Sequence, residues 1–97
     1  MTDIKALRDG QRKIDVIGTI SKIEAPREVS LRTGGKARVA NATLADSTGE
    51  ITLVLWDDQI EQVKEGNVVS ISNAYVSAFR SQRQLNIGRY GSMSKMA

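Results

Sequence analysis

Cysteine and histidine are both absent from this 97-residue chain. Their joint absence excludes disulfide staples, thiolate nucleophiles, zinc held by cysteine or histidine, and imidazole acid–base catalysis. The adjacent acids Asp57 and Asp58 do not replace them, because sequence neighbours point apart and no nucleophile with a base partner can be assembled around them. The expectation is a non-enzyme with no metal and no cofactor. Long apolar runs are missing too: none approaches the roughly 18 residues of a membrane span. The N-terminal TDIKALRDG also lacks the apolar region and cleavage site of a signal peptide. These absences read as a soluble, intracellular, cytoplasmic protein without a membrane partner.

Aromatic residues are scarce, with one tryptophan, two tyrosines and one phenylalanine. Where the few rings stand therefore carries information. The stretch DSTGEITLVLWDD, residues 46–58, is a tight turn feeding an alternating strand that ends on the single tryptophan. Side chains alternate between the faces of a strand, so Ile51, Leu53 and Leu55 share one face while Thr52, Val54 and Trp56 share the other. If the branched aliphatics face the core, Trp56 faces outward, as a stacking platform on rigid backbone.

A hydrophobic content of 40% with 26% charged residues is ordinary globular composition, and 97 residues make one small domain with a thin core. The domain spans residues 1–97, with 1–12 as an N-terminal extension and 91–97 as a flexible tail. Thr2 caps a short helical turn through Ile4, Ala6 and Leu7 that stops at Gly10. Lys13 to Ala25 reads as a long strand bent at Gly18 and broken by Pro26. REVSLRTGGK is either a long loop or a hairpin tip. Arg38 to Asp46 is a second strand, whose small residues allow close approach to its outer face. Glu50 to Trp56 is the third, and Asp57 to Val63 has the apolar spacing and leading acids of a short helix. Val68 to Phe79 and Gln84 to Tyr90 complete five strands.

Five strands with glycine bends and a short helix between the third and fourth give the element order of the all-β, five-stranded Greek-key OB-fold barrel. On the long fourth strand Tyr75 shares parity with Val69 and Ile71. It points to the core unless a bulge near Asn73 and Ala74 shifts the alternation. Phe79 falls at that strand's end, beside a charged loop.

Net charge is +3, but its distribution says more. Arg27, Arg32, Lys36 and Arg38 face only Glu28 in one block. Arg80, Arg83, Arg89 and Lys95 follow Gly66 with no acid at all. In an OB-fold the first and last of these loops bracket the binding face, where the basic side chains can neutralise phosphate. The expected phosphate contacts are Arg27, Arg32, Lys36, Arg38, Arg80 and Arg83.

The D-x-T-G turn, the strand ending in Trp, the K-E-G turn, the N-A-aromatic-x-x-x-F segment and the L-N-x-G strand together resemble one family. It is the archaeal and eukaryotic single-stranded DNA-binding proteins with a simple OB-fold, related to replication protein A. The resemblance covers most of the chain. It implies that Trp56, Tyr75 and Phe79 stack on bases of single-stranded DNA during replication, repair or recombination, with replication or repair proteins as further partners and a nucleoid association if the protein is archaeal. Relatives often continue into a flexible Gly-rich or acidic tail, whereas this sequence stops soon after the barrel, which puts tail-mediated recruitment in doubt. Two alternatives use the same face. One is a protein-docking module or a subunit of a replication protein A-like complex; the other is single-stranded RNA binding, which no residue here distinguishes.

Overall fold

The chain folds as seven strands in a computed structural model that describes residues 2–88 and 90–96. Arg89, counted above in the second basic block, and the end positions 1 and 97 lie outside the described residues. The strands are β1 (Ile14–Ile23), β2 (Arg27–Ser30), β3 (Lys36–Ala45), β4 (Glu50–Trp56), β5 (Val68–Phe79), β6 (Gln82–Asn86) and β7 (Ser92–Lys95), with the helix α1 (Asp58–Gln62) between β4 and β5. Five of them form the barrel. Pairing runs β1-β3-β4-β6-β5 and returns through β1–β5. The β4–β6 pair is parallel and the others are antiparallel. This circuit, with its helix between the third and fourth barrel strands, is the OB-fold expected from the element order.

Two strands lie outside that circuit. β2 pairs with β3 around a tight turn in which the Leu31 N–H donates to the Gly35 carbonyl, so REVSLRTGGK is a hairpin and not a loop. β7 pairs with Val69–Ser72 of β5, so most of the segment expected to fray is a sheet strand. Ser92–Lys95 has no apolar alternation to announce it, and its backbone groups find partners only because β5 runs past the end of β6.

The core is aliphatic. Ile51, Leu53 and Leu55 of β4 meet Val16 and Ile20 of β1, Leu44 of β3, Val69 and Ile71 of β5 and Leu85 of β6, all almost fully buried. The small residues of β3 prove to face inward: Ala40 and Ala42 pair with Leu55 and Leu53, leaving Val39, Asn41 and Thr43 on the outer face. Gly18 is required by close approach, since a Cβ there would lie 2.9 Å from both the Ala45 carbonyl oxygen and Leu44 Cγ.

The N-terminal extension closes one side of this core. Ile4 opens a short 3-10 turn (Ile4–Ala6), Leu7 follows it, and both are buried in the main cluster. Asp3 occupies the cap position, and no side chain caps the turn. The turn is instead tied down from a distance, because Asp46 Oδ2 accepts from the Ile4 N–H at 3.0 Å and Oδ1 accepts from Thr48 and Gly49. Desolvation opposes ionisation of Asp46, but bonds from the Thr48 hydroxyl and from the Ile4, Thr48 and Gly49 N–H groups outweigh it and hold the carboxyl below its ordinary value.

Candidate nucleic-acid interface

Cross-strand register builds the outer face row by row, since directly opposed residues point the same way. One row reads Asn41 (β3), Val54 (β4), Asn86 (β6) and Tyr75 (β5). The next reads Thr43, Thr52, Gln84 and Ser77. Toward one end stands a third row, Arg27, Val39 and Trp56. At the other end Phe79 faces Gln82.

Trp56 is outward, as its parity requires, and 40% exposed. Val39 and Val54 are buried although they lie on this outer side, apart from the central cluster, so they form the floor from which the indole rises. The backbone N–H of Trp56 donates to Gln59 Oε1 at 3.0 Å, which ties the strand end to α1.

Tyr75 shows why parity on β5 misleads. Ser72 and Asn73 of β5 together oppose Asp15 alone on β1, a bulge in which Asn73 takes φ 56°. Asp15 Oδ1 accepts the Asn73 N–H at 3.0 Å, holding the extra residue in place. Alternation resets beyond it, so Ala74 and Val76 are buried while Tyr75 is 42% exposed. The ring lies over Gly88, where a Cβ would come within 2.8 Å of Tyr75 Cε1. Glycine at 88, at φ +72°, gives the ring its seat.

Phe79 is 57% exposed at the mouth of the β5–β6 hairpin. The turn behind it, Arg80–Ser81, has positive φ at both residues, 52° and 67°, the geometry of a two-residue type I′ turn. Its consequence is that the Arg80 guanidinium carbon stands 5.2 Å from the Phe79 ring centroid, a cation–π contact.

The six basic side chains expected around the face divide. Arg27 shares the row of Trp56, Arg32 is exposed at the tip of the β2–β3 turn, and Arg80 lies on Phe79. Lys36 and Arg38 do not join them. They sit at the opposite parity of β3 from Val39 and face carboxylates, Lys36 at 3.4 Å from Glu28 and Arg38 at 3.0 Å from Glu61. Arg83 is also taken up internally, donating through Nη1 to the carbonyls of Ile4 and Leu7 and so fastening the N-terminal turn to the hairpin. Charge counting saw Glu28 in the same block, but not Glu61 or the carbonyls of Ile4 and Leu7, which lie 23 and more than 70 residues away in the chain.

Small polar residues fill the middle of the face, among them Asn41, Thr43 and Asn86, which sequence reasoning passed over. Asn86 Nδ2 donates to Ser77 Oγ at 2.9 Å, and Asn41, Thr43 and Thr52 lie in the same rows. Their small polar groups leave the space between the rings low and hydrogen-bonding. The L-N-x-G pattern placed Asn86 on a strand without showing which way it points.

Comparison with known proteins adds the lineage. Residues 12–95 match the family model described as single-stranded DNA binding protein Ssb-like, OB fold. The single-stranded DNA binding protein Ssb of Saccharolobus solfataricus is 32% identical over 82 residues, covering 84% of this chain and 55% of that protein. Replication factor A of Methanothermobacter thermautotrophicus is 33% identical over 90 residues, 92% of this chain and 11% of that protein. The chain thus spans about half the length of the first relative and a small part of the second. A solved structure, the replication factor A related protein from Methanobacterium thermoautotrophicum, superposes with a TM-score of 0.81 at 27% identity over 99% of this chain and 90% of that one. A barrel of this topology, matched by the model over nearly its whole length, belongs to the Ssb-like OB-fold family of single-stranded DNA-binding proteins.

Proposed function

We propose that this chain binds single-stranded DNA with little base selectivity, stacking bases on Trp56, Tyr75 and Phe79 and neutralising phosphates with Arg27, Arg32 and Arg80. One observation carries the reading: all four aromatic side chains of the chain are exposed, and the core is built without a ring. Aromatic rings ordinarily bury large apolar areas, so keeping every one at the surface of a thinly cored domain is costly unless the surface uses them.

Spacing defines how a strand would lie. Four residues along β5 separate Tyr75 and Phe79 by about 13 Å, and two strand spacings with a two-residue offset put Trp56 about 12 Å from Tyr75. Stacked nucleotides rise only about 3.4 Å each, so adjacent nucleotides reach two of these rings only if they are unstacked from one another. Every base has a π-face, and each stack contributes roughly 1–3 kcal/mol whatever the base, which makes the contact tolerant of sequence. A single barrel covers on the order of 4–16 nucleotides, and tight coating of exposed DNA during replication, repair or recombination then needs several barrels or cooperativity.

The test is titration with oligo-dT followed by the fluorescence of the single tryptophan at two salt concentrations. Quenching is expected, with log affinity falling against log salt at a slope of about −2 for three phosphate contacts. A matched oligo-U titration measures tolerance of the 2′-hydroxyl. Absence of both quenching and binding by an independent method would overturn the reading in favour of a protein-docking module.

A further inference from the structure

A recess opens beside Tyr75, off the main rows. It is a cleft of about 410 Å³, within the size range of small-ligand sites. Ala74 and Ile87 make a buried floor, Tyr75 and Tyr90 stand as aromatic walls, and Arg12 and Lys13 form a cationic rim. No carboxylate appears among its described lining residues.

The cleft is built by the bulge that turns Tyr75 outward. Asn73, the bulged residue, donates through Nδ2 to the Tyr90 carbonyl at 3.2 Å and so anchors the backbone that carries the second ring. Tyr90 itself is 81% exposed and buries almost nothing. Lys13 adopts φ 56°, an unfavourable conformation for a lysine, immediately before β1 begins. Because β4 and β6 run parallel, Gly88, two residues beyond Asn86, lies toward the Trp56 end of the face and away from Phe79. A strand crossing from Trp56 to Tyr75 therefore arrives at this cleft next.

We propose that the cleft takes one further nucleotide of the bound single strand, with its base against Tyr75 and Tyr90 and its phosphate on Arg12 and Lys13. The proposal rests on the single-stranded DNA reading and extends it by one subsite. Charge complementarity selects the occupant, because two cations beside two rings match a phosphate linked to a planar base. Continuity through the shared Tyr75 makes that nucleotide part of the same strand.

The experiment is fluorescence anisotropy with labelled oligo-dT of increasing length, on the wild-type chain and on Tyr90→Ala, Arg12→Ala and Trp56→Ala, with thermal midpoints recorded for each. Tyr90 and Arg12 are exposed, so neither change should move the midpoint. Expected is a loss on the order of tenfold for Tyr90→Ala at the longer lengths, abolishing the last gain in affinity that lengthening gives the wild type. Arg12→Ala should make the salt slope less negative by about 0.7 at those lengths. Wild-type affinity at every length in both cleft variants, with Trp56→Ala weakened, would overturn the cleft and leave the main face intact. Failure of the wild type to bind oligo-dT at all would overturn both. Loss of binding to an acidic peptide, with oligo-dT affinity unchanged, would also overturn the nucleotide subsite, reassigning the cleft to protein.

Discussion

The two ends of the aromatic face solve the same problem differently. At the Trp56 end the ring sits on a strand, over buried Val39 and Val54, with its backbone tied to α1 through Gln59. At the Phe79 end the ring sits at a hairpin mouth, more exposed, with its neighbour Arg80 in a left-handed conformation and stacked on it. The first end gains its geometry from packing. The second gains it from a turn that Asn-Gly would form more easily than Arg-Ser. The cations differ likewise. The β2–β3 hairpin commits Lys36 and Arg38 to carboxylates and keeps Arg27 on the aromatic side, while the β5–β6 hairpin commits Arg83 to the N-terminal turn and keeps Arg80. On each hairpin, basic residues close in sequence divide between the aromatic face and other partners.

If the two ends act as separate platforms, removing both rings should cost the sum of the single losses, because sites beyond about 10 Å add. The double variant Trp56→Ala, Phe79→Ala should lose on the order of a thousandfold in oligo-dT affinity, from roughly 1–3 kcal/mol per stack. A loss no larger than that of Trp56→Ala alone, read by anisotropy, would collapse the comparison to a single platform.

Next in size is Arg83→Ala. It should destabilise the chain by about 2 kcal/mol in denaturant unfolding, since charged donors to two carbonyls are lost. The salt slope of DNA binding should stay unchanged. A flatter slope with intact stability would return Arg83 to the phosphate contacts.

The turn separates strain from use. Arg80→Asn with Ser81→Gly should raise stability by about 1 kcal/mol, visible as a higher midpoint, because both residues then favour positive φ. The same change should weaken oligo-dT binding as the cation leaves the Phe79 ring. A more stable variant with full affinity would mean that the strained turn serves no binding purpose.

The smallest effect discriminates the two sides of the first hairpin. Arg27→Ala should make the salt slope less negative by about 0.7, whereas Lys36→Ala should leave it where it was. Exposed pairs such as Lys36–Glu28 are worth little, so neither change should disturb the fold. Equal slopes for both variants would erase the distinction between the faces.

Local periodicity by itself determined a good deal. The inward set Ile51, Leu53 and Leu55, the outward Trp56, the Asp46–Gly49 turn and the short helix before β5 follow from residues within a few positions of one another, where side-chain alternation and turn chemistry act. Tertiary structure decided what depends on distant partners. Tyr75 faces outward because Asp15, far back in the chain, holds the bulge at Asn73, and a one-residue slip reverses every side chain beyond it. Lys36 and Arg38 stand beside Glu28 and Glu61, and Arg83 reaches the carbonyls of Ile4 and Leu7, partners that only the folded chain brings near. Ser92–Lys95 becomes a strand because β5 offers an open edge. A charge or a ring can be read from one residue, but which way it points depends on the register between strands, and that register is set only when the barrel closes.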